Sequence, residues 1–170
     1  MPHIGQGPRQ RGCNVRGVPA NRVYLEGPHR PTAPYQVGRE KIREFATAVG
    51  AEHPFHHDVA AATAGGHTDL LAPPTFPIVL SLAAERDVVT HPDAGIDYAR
   101  VVHREQRFVH HRPVVAGDTL TAQVHLHDVR EMADNDVVSC RTEVRDAHGD
   151  AVVTAYSTLV ARGTAEPGRQ

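Results

Sequence analysis

Residues 50–58 read G-A-E-H-P-F-H-H-D, the densest group of chemically able side chains in the sequence. His53, His56, His57 and Asp58 supply imidazoles and a carboxylate, the groups that move protons or ligate metals near neutral pH. His125 and His127 form a second pair, two apart on one face of an expected strand, among thirteen histidines in all. Neither group has a matched partner pair at a recognised metal spacing, and no cysteine joins them. No metal and no cofactor is therefore expected, and the plain alternative is a set of surface histidines. His110 and His111 are neighbours in an expected strand, so alternation sends them to opposite faces and keeps them from converging. No G-x-S-x-G turn and no glycine loop for phosphate is present.

A helix must deliver the first group. Ile42, Phe45, Ala46 and Val49 recur at i, i+3, i+4 and i+7, one apolar helical face. Gly38 can serve as the N-cap, Glu40 falls in the first turn, and Gly50 suits a left-handed stop. A helix of this kind needs a sheet to cover its apolar face. The run A-A-A-T-A-G-G reads as a short helix ended by Gly65 and Gly66. Pro73 and Pro74 force extended backbone. Thr75 can cap a second helix with Pro77 in its first turn, carrying Phe76, Val79, Leu80 and Ala83 and running to about Val89. His91 to Asp97 reads as a polar loop.

From Tyr98 onward the period changes to that of strands. Arg100 to His111 reads as one strand, ended by Pro113. Leu120, Ala122, Val124 and Leu126 then alternate with polar residues, as do Val138, Cys140, Thr142 and Val144. His148-Gly149 signals a hairpin, and Ala151 to Arg162 is apolar on both faces, as an internal strand would be. Helices followed by hairpin-linked strands make the expected class α+β. Residues 1–34 and 163–170 read as disordered tails around a domain at 35–162, with Val23, Tyr24 and Leu25 as a short strand or docking segment.

The 170 residues fit one domain, and 40% hydrophobic residues can build its core although aromatics make up only 5%. A formal charge of −2 gives no electrostatic case for nucleic acid or an anionic membrane. Two cysteines, Cys13 and Cys140, make no disulfide framework, and no leader or spanning run is evident, so a cytoplasmic setting is expected.

Four segments carry a family resemblance in order: Y-Q-V-G-R-E-K-I-R-E-F-A-T-A-V-G, L-A-P-P-T-F-P, V-V-H-R-E-Q-R-F and H-H-R-P-V-V-A-G-D. From about Tyr35 to Arg162 the chain resembles the MaoC-like hot-dog hydratases and dehydratases, in the N-terminal-half type of actinobacterial 3-hydroxyacyl-thioester dehydratase subunits. The resemblance implies a long helix wrapped by an antiparallel sheet, dimerising as a double hot dog. It also implies an acyl thioester on CoA or acyl carrier protein as ligand.

Catalytic members of the family carry an Asp and a His after the helix, in a pattern like G-D-x-N-P-x-H. Against it, Ala51 stands at the Asp position, His53 at the Asn position and His56 at the His position. A family glycine whose N–H binds the thioester oxygen falls at Pro74, which has no N–H. The expected catalytic residue is thus His56 without its Asp, and the expected substrate-binding residues are Ala72, Pro73, Pro74, Thr75 and Phe76. The last four also read as a device for starting a helix. The implied role is a dehydratase subunit that shapes the acyl channel beside a catalytic hot-dog partner, as a hetero- or homodimer. The rivals are a homodimeric hydratase using His56 with Glu52 or Asp58, and a non-catalytic acyl-CoA-binding module.

Overall fold

The computed structural model describes residues 20–163. In chain order the elements are α1 (Arg22–Leu25), β1 (Tyr35–Gln36), α2 (Arg39–Ala48), α3 (Val59–Ala64), α4 (Ile78–Val89), β2 (Val101–His110), β3 (Thr119–Met132), β4 (Asn135–Asp146) and β5 (Ala151–Arg162). The strands form one antiparallel sheet in the order β1-β3-β4-β5-β2. β3, β4 and β5 follow each other as hairpins, as their alternation predicts. β5 lies between β4 and β2, the internal place expected for it, and its burial alternates between a buried and a half-buried face. β2 and β1 are the edges.

The helix that the sheet wraps is α4, not α2. It packs on β3 and β4, and Leu80, Ala84, Val88 and Val89 join the core. The sequence draws attention to α2 because α2 is amphipathic, and amphipathicity marks a helix with one face in water. α2 lies beside the core. It buries Ile42 and Ala46 and sets Phe45 edge-on to Phe76, with ring centroids 5.4 Å apart. Val49, expected on the same apolar face, is 51% exposed, since the helix has already closed at Ala48. Gly50 does take the left-handed conformation (φ 69°). Its N–H bonds to the Thr47 carbonyl and that of Ala51 to the Ala46 carbonyl, which satisfies two end-of-helix acceptors.

α4 begins two residues later than Thr75 capping would require. Pro77 is its cap, no side chain caps it, and Thr75 is exposed in a turn closed by the Phe76 N–H on the Pro73 carbonyl. Successive prolines spend those residues on the turn.

Residues 20–34, expected within a tail, pack onto the domain. Leu25 is fully buried in α1, a helix rather than a strand. The Asn21 N–H bonds to the Ala94 carbonyl, and the Thr32 N–H to that of Ala122. Tyr24 stacks on His91 with centroids 4.8 Å apart. The same contacts order the expected polar loop, where residues 92–94 make a 3-10 turn with Ala94 buried. The expectations for residues 1–19 and 164–170 lie outside the described residues. No helix among the described residues is long and apolar enough to cross a membrane.

Candidate functional site

His56 is placed by three short segments. After α2 closes, Pro54 opens a 3-10 turn, Pro54–His56, with His53 as its cap. The missing N–H of Pro54 costs nothing there. Asp58 then caps α3, accepting from the Ala60 N–H at 2.8 Å. Its carboxylate is thereby used structurally. The turn is tied to residues 70–72 by the Leu71 N–H on the Phe55 carbonyl, at 2.9 Å. Those residues in turn pair with 114–116, through a bridge between Leu71 and Val115. His56 is thus held against the part of the chain that follows β2, far away in sequence.

These segments enclose a cavity of about 630 Å³. Its apolar lining includes Phe55, Leu71, Ala72, Pro74, Pro113 and Val114. His53, His56, His67, His110, His111 and Arg112 supply its polar lining, and among the described residues no Asp or Glu lines it. Gly65 lets Phe55 take its place in this wall, since a Cβ on Gly65 would sit 2.4 Å from the ring's Cζ. Gly65 is therefore needed for close approach, while Gly66 takes the left-handed turn (φ 89°) that ends α3.

The ring nitrogens have defined roles. His56 is 7% exposed, and its Nδ1 lies 2.7 Å from the Leu71 carbonyl oxygen. A carbonyl only accepts, so Nδ1 carries the proton and Nε2 keeps its lone pair toward the cavity. His110 Nε2–H donates to the Pro74 carbonyl at 2.8 Å, and His57 Nε2–H to the Ala51 carbonyl at 2.8 Å. Arg112 is clamped by Asp118 at 2.9 Å and by Asp146 at 3.2 Å. The hydrogen bonds it donates to the Asp118 carboxylate push its pKa up, so the guanidinium stays charged.

Of the expected binding residues, Ala72 and Pro74 line the cavity. Pro73 and Phe76 are buried away from its lining, with Phe76 fully inside the core, and Thr75 faces solvent. Pro74 contributes apolar surface and no donor. Glu52 is exposed and does not line the cavity, and with Asp58 serving as a cap neither carboxylate partners His56. His110 and His111 both reach the cavity, contrary to the alternation argument. β2 ends at His110, so His111 belongs to a bend in which strand alternation no longer applies. His125 and His127 are separated by a register shift in β3, between Leu126 and Asp128. Among the described residues the histidines do not gather into a ligating group of three or more.

Residues 27–155 match the FAS1-like dehydratase domain region. The chain belongs to this family of MaoC-like hot-dog dehydratases. A UPF0336 protein of Saccharopolyspora erythraea is 48% identical over 149 residues, 88% of this chain and 96% of its own length. A UPF0336 protein of Clavibacter michiganensis is 53% identical over 140 residues, 82% of this chain and 94% of its own. Among solved structures, the C-terminally truncated HadBC complex of Mycobacterium tuberculosis, a 3R-hydroxyacyl-ACP dehydratase, superposes with a TM-score of 0.67. It is 36% identical and aligns with 78% of this chain and 92% of that one. A MaoC-like dehydratase superposes at 0.76 with 35% identity, over 86% of this chain and 44% of that longer chain. The order β1-β3-β4-β5-β2 around α4 is accordingly the hot-dog fold.

Proposed function

We propose that this hot-dog domain is one subunit of a 3-hydroxyacyl-thioester dehydratase, or enoyl-thioester hydratase, acting on acyl groups carried by CoA or acyl carrier protein. It shapes the acyl channel, and a second hot-dog subunit supplies the carboxylate–imidazole pair. One observation carries the reading: among the described residues, the cavity is lined by His56 and a largely apolar wall but by no carboxylate. Water addition to an enoyl thioester needs a base for the water and a donor for the thioester oxygen. Here the Asp position is Ala51, whose carbonyl is taken up by His57, and the donor position is Pro74. The resemblance to the HadBC complex supports a paired assembly. Exposed Val102 and Val109 on the edge strand β2 give such a partner apolar surface.

The homodimeric alternative is favoured by one feature, the free Nε2 of His56 in the cavity. Hydration of crotonyl-CoA separates the two readings. The chain alone should hydrate it barely above background, and a partner retaining an Asp–His pair should restore turnover. In that complex His56→Ala should leave kcat nearly unchanged, whereas Ala72→Phe should raise KM for long acyl chains. Robust activity of the lone chain, lost in His56→Ala, would establish the homodimeric reading instead.

A further inference from the structure

The face of the sheet turned from α4 carries one acid–base pair that does not close. Thr142 and Ser157 point to Glu85 on α4, so their strand neighbours Arg141, Glu143, Tyr156 and Thr158 alternate to the opposite face. On β2, Gln106 pairs with Ser157, which puts Glu105 and Arg107 on that opposite face as well. Along β3 and β4, acidic and basic residues two apart on this face do pair. Arg130 lies 3.8 Å from Asp128, Arg141 3.0 Å from Glu143, and Arg145 2.9 Å from Glu143. Glu105 and Arg107 have the same spacing, yet among the described residues neither makes an ion pair. The Arg107 guanidinium lies instead over the ring of Tyr156, its cross-strand neighbour, 4.0 Å from the centroid. Stacking of this kind holds the guanidinium flat and leaves its N–H groups free to donate.

Glu105, Arg107 and Tyr156 line a groove of about 200 Å³ together with His127, Ser139 and Thr158. Thr158 stands across from Glu105, and Ser139 across from Thr158. The side chains of His127, Ser139 and Thr158 have no hydrogen-bond partner among the described residues. Bulges at Arg104 in β2 and at His127 in β3 flank the groove, and bulges add local twist. We infer that this groove binds a small zwitterion, a free α-amino acid, with its carboxylate on Arg107 and its ammonium on Glu105. A guanidinium donates two parallel hydrogen bonds to a carboxylate, and the Glu105 carboxylate accepts from an ammonium. Hydroxyls both donate and accept, so Ser139 and Thr158 can serve either end. Two residues along a strand span about 6.7 Å. With a contact of about 2.8 Å at each end, the ligand's own charges must lie close together, as they do on one α-carbon. The groove is also smaller than the roughly 300 Å³ at which pockets for larger ligands begin. A simple anion would suit Arg107 but would be repelled by Glu105. None of the groove's lining residues belongs to the cavity around His56, and the inference does not rest on the dehydratase reading.

Titration of the ¹⁵N-labelled full chain, followed by ¹H–¹⁵N correlation spectra, tests this with three probes. Glycine carries both charges, acetate only the negative one and methylammonium only the positive one. Glycine should shift the signals of Glu105, Arg107, Ser139 and Thr158 saturably, in the millimolar range expected of a few solvent-facing polar contacts. Acetate and methylammonium should each bind about tenfold more weakly, because each leaves one charged contact unmade. Glu105→Gln and Arg107→Gln should each weaken glycine by a similar factor. The two readings of the groove differ in sign at Glu105: removing its charge weakens a zwitterion and tightens a plain anion. Acetate bound as tightly as glycine, or glycine bound more tightly by Glu105→Gln, would make this an anion site and overturn the inference. So would the absence of any saturable shift with glycine. The comparison of probes on the wild type decides the matter even where a variant fails to fold.

Discussion

Glu85 shows how a single residue can matter far from the cavity. It projects from α4 into the core and is 1% exposed. The Thr142 hydroxyl donates to one of its oxygens at 3.0 Å and the Ser157 hydroxyl to the other at 2.8 Å. One side chain thus ties the central helix to β4 and β5. Burial pushes its carboxyl pKa up, against the downward pull of those hydroxyls and of His103. Beside it, the Cys140 thiol is pushed up to about 12, first by burial and then by the Glu85 charge, so it stays protonated and inert. A carboxyl whose folded pKa is raised stabilises the fold fully below its unfolded pKa, and that stability is lost as pH rises through the folded value. Glu85→Gln should therefore raise Tm at pH 8, with the gain shrinking toward pH 4. Glu85→Ala should cost about 3 kcal/mol, because two buried hydroxyls lose their acceptor. Thermal melts across this pH range check both, and a gain independent of pH would show that Glu85 is not buried in its charged form's disfavour.

Among the elements, α1 is short enough to be overlooked and yet closes one side of the core. Four residues cannot hold a helix by propensity alone. α1 persists because Asn21 caps the Tyr24 N–H and Leu25 enters the core cluster. Leu25→Ala should destabilise the chain by about 2–4 kcal/mol, the usual range for emptying a buried leucine site. Chemical denaturation measures it, and a change within 0.5 kcal/mol would mean the segment is only loosely docked (about the error of such additivity arguments). The α3 region works the other way. Its glycines contribute no side chain, and that is their value, since Gly65 yields its space to Phe55 at the cavity wall.

At the scale of the whole molecule, the sheet has one long edge left open. β2 pairs with β5 on one side only. Val102 is 47% and Val109 37% exposed along it, and Leu82 on the nearby central helix is 38% exposed. An open edge of ten residues with apolar side chains is a surface that proteins either cover or blunt with charge. Val102→Lys combined with Val109→Lys should abolish association while leaving far-UV circular dichroism unchanged. Light scattering of the chain, alone and with its partner, gives the answer. An assembly that survives both lysines would move the interface elsewhere.

The sequence by itself determined the class of fold and the order of its elements. Period-two alternation in β3 and β4, the apolar run of β5 and the Gly50 stop after α2 are local properties, set by backbone geometry and by which side chains avoid water. Family segments such as L-A-P-P-T-F-P were equally legible, and Ala72 and Pro74 of that segment line one cavity with His56. What lay beyond it was everything decided by contact between distant segments. The buried face of α4 includes Ser81 and Glu85 while Leu82 and Ala83 are exposed, so its central place and the burial of Glu85 could not be read from apolar patterning. His110 and His111 join His56 because β2 ends and bends, and an alternation rule holds only while the strand continues. The proton position on His56 depends on the Leu71 carbonyl, brought up by folding from fifteen residues away. Side-chain type provides the imidazole, and only the tertiary structure decides which of its two nitrogens is the donor.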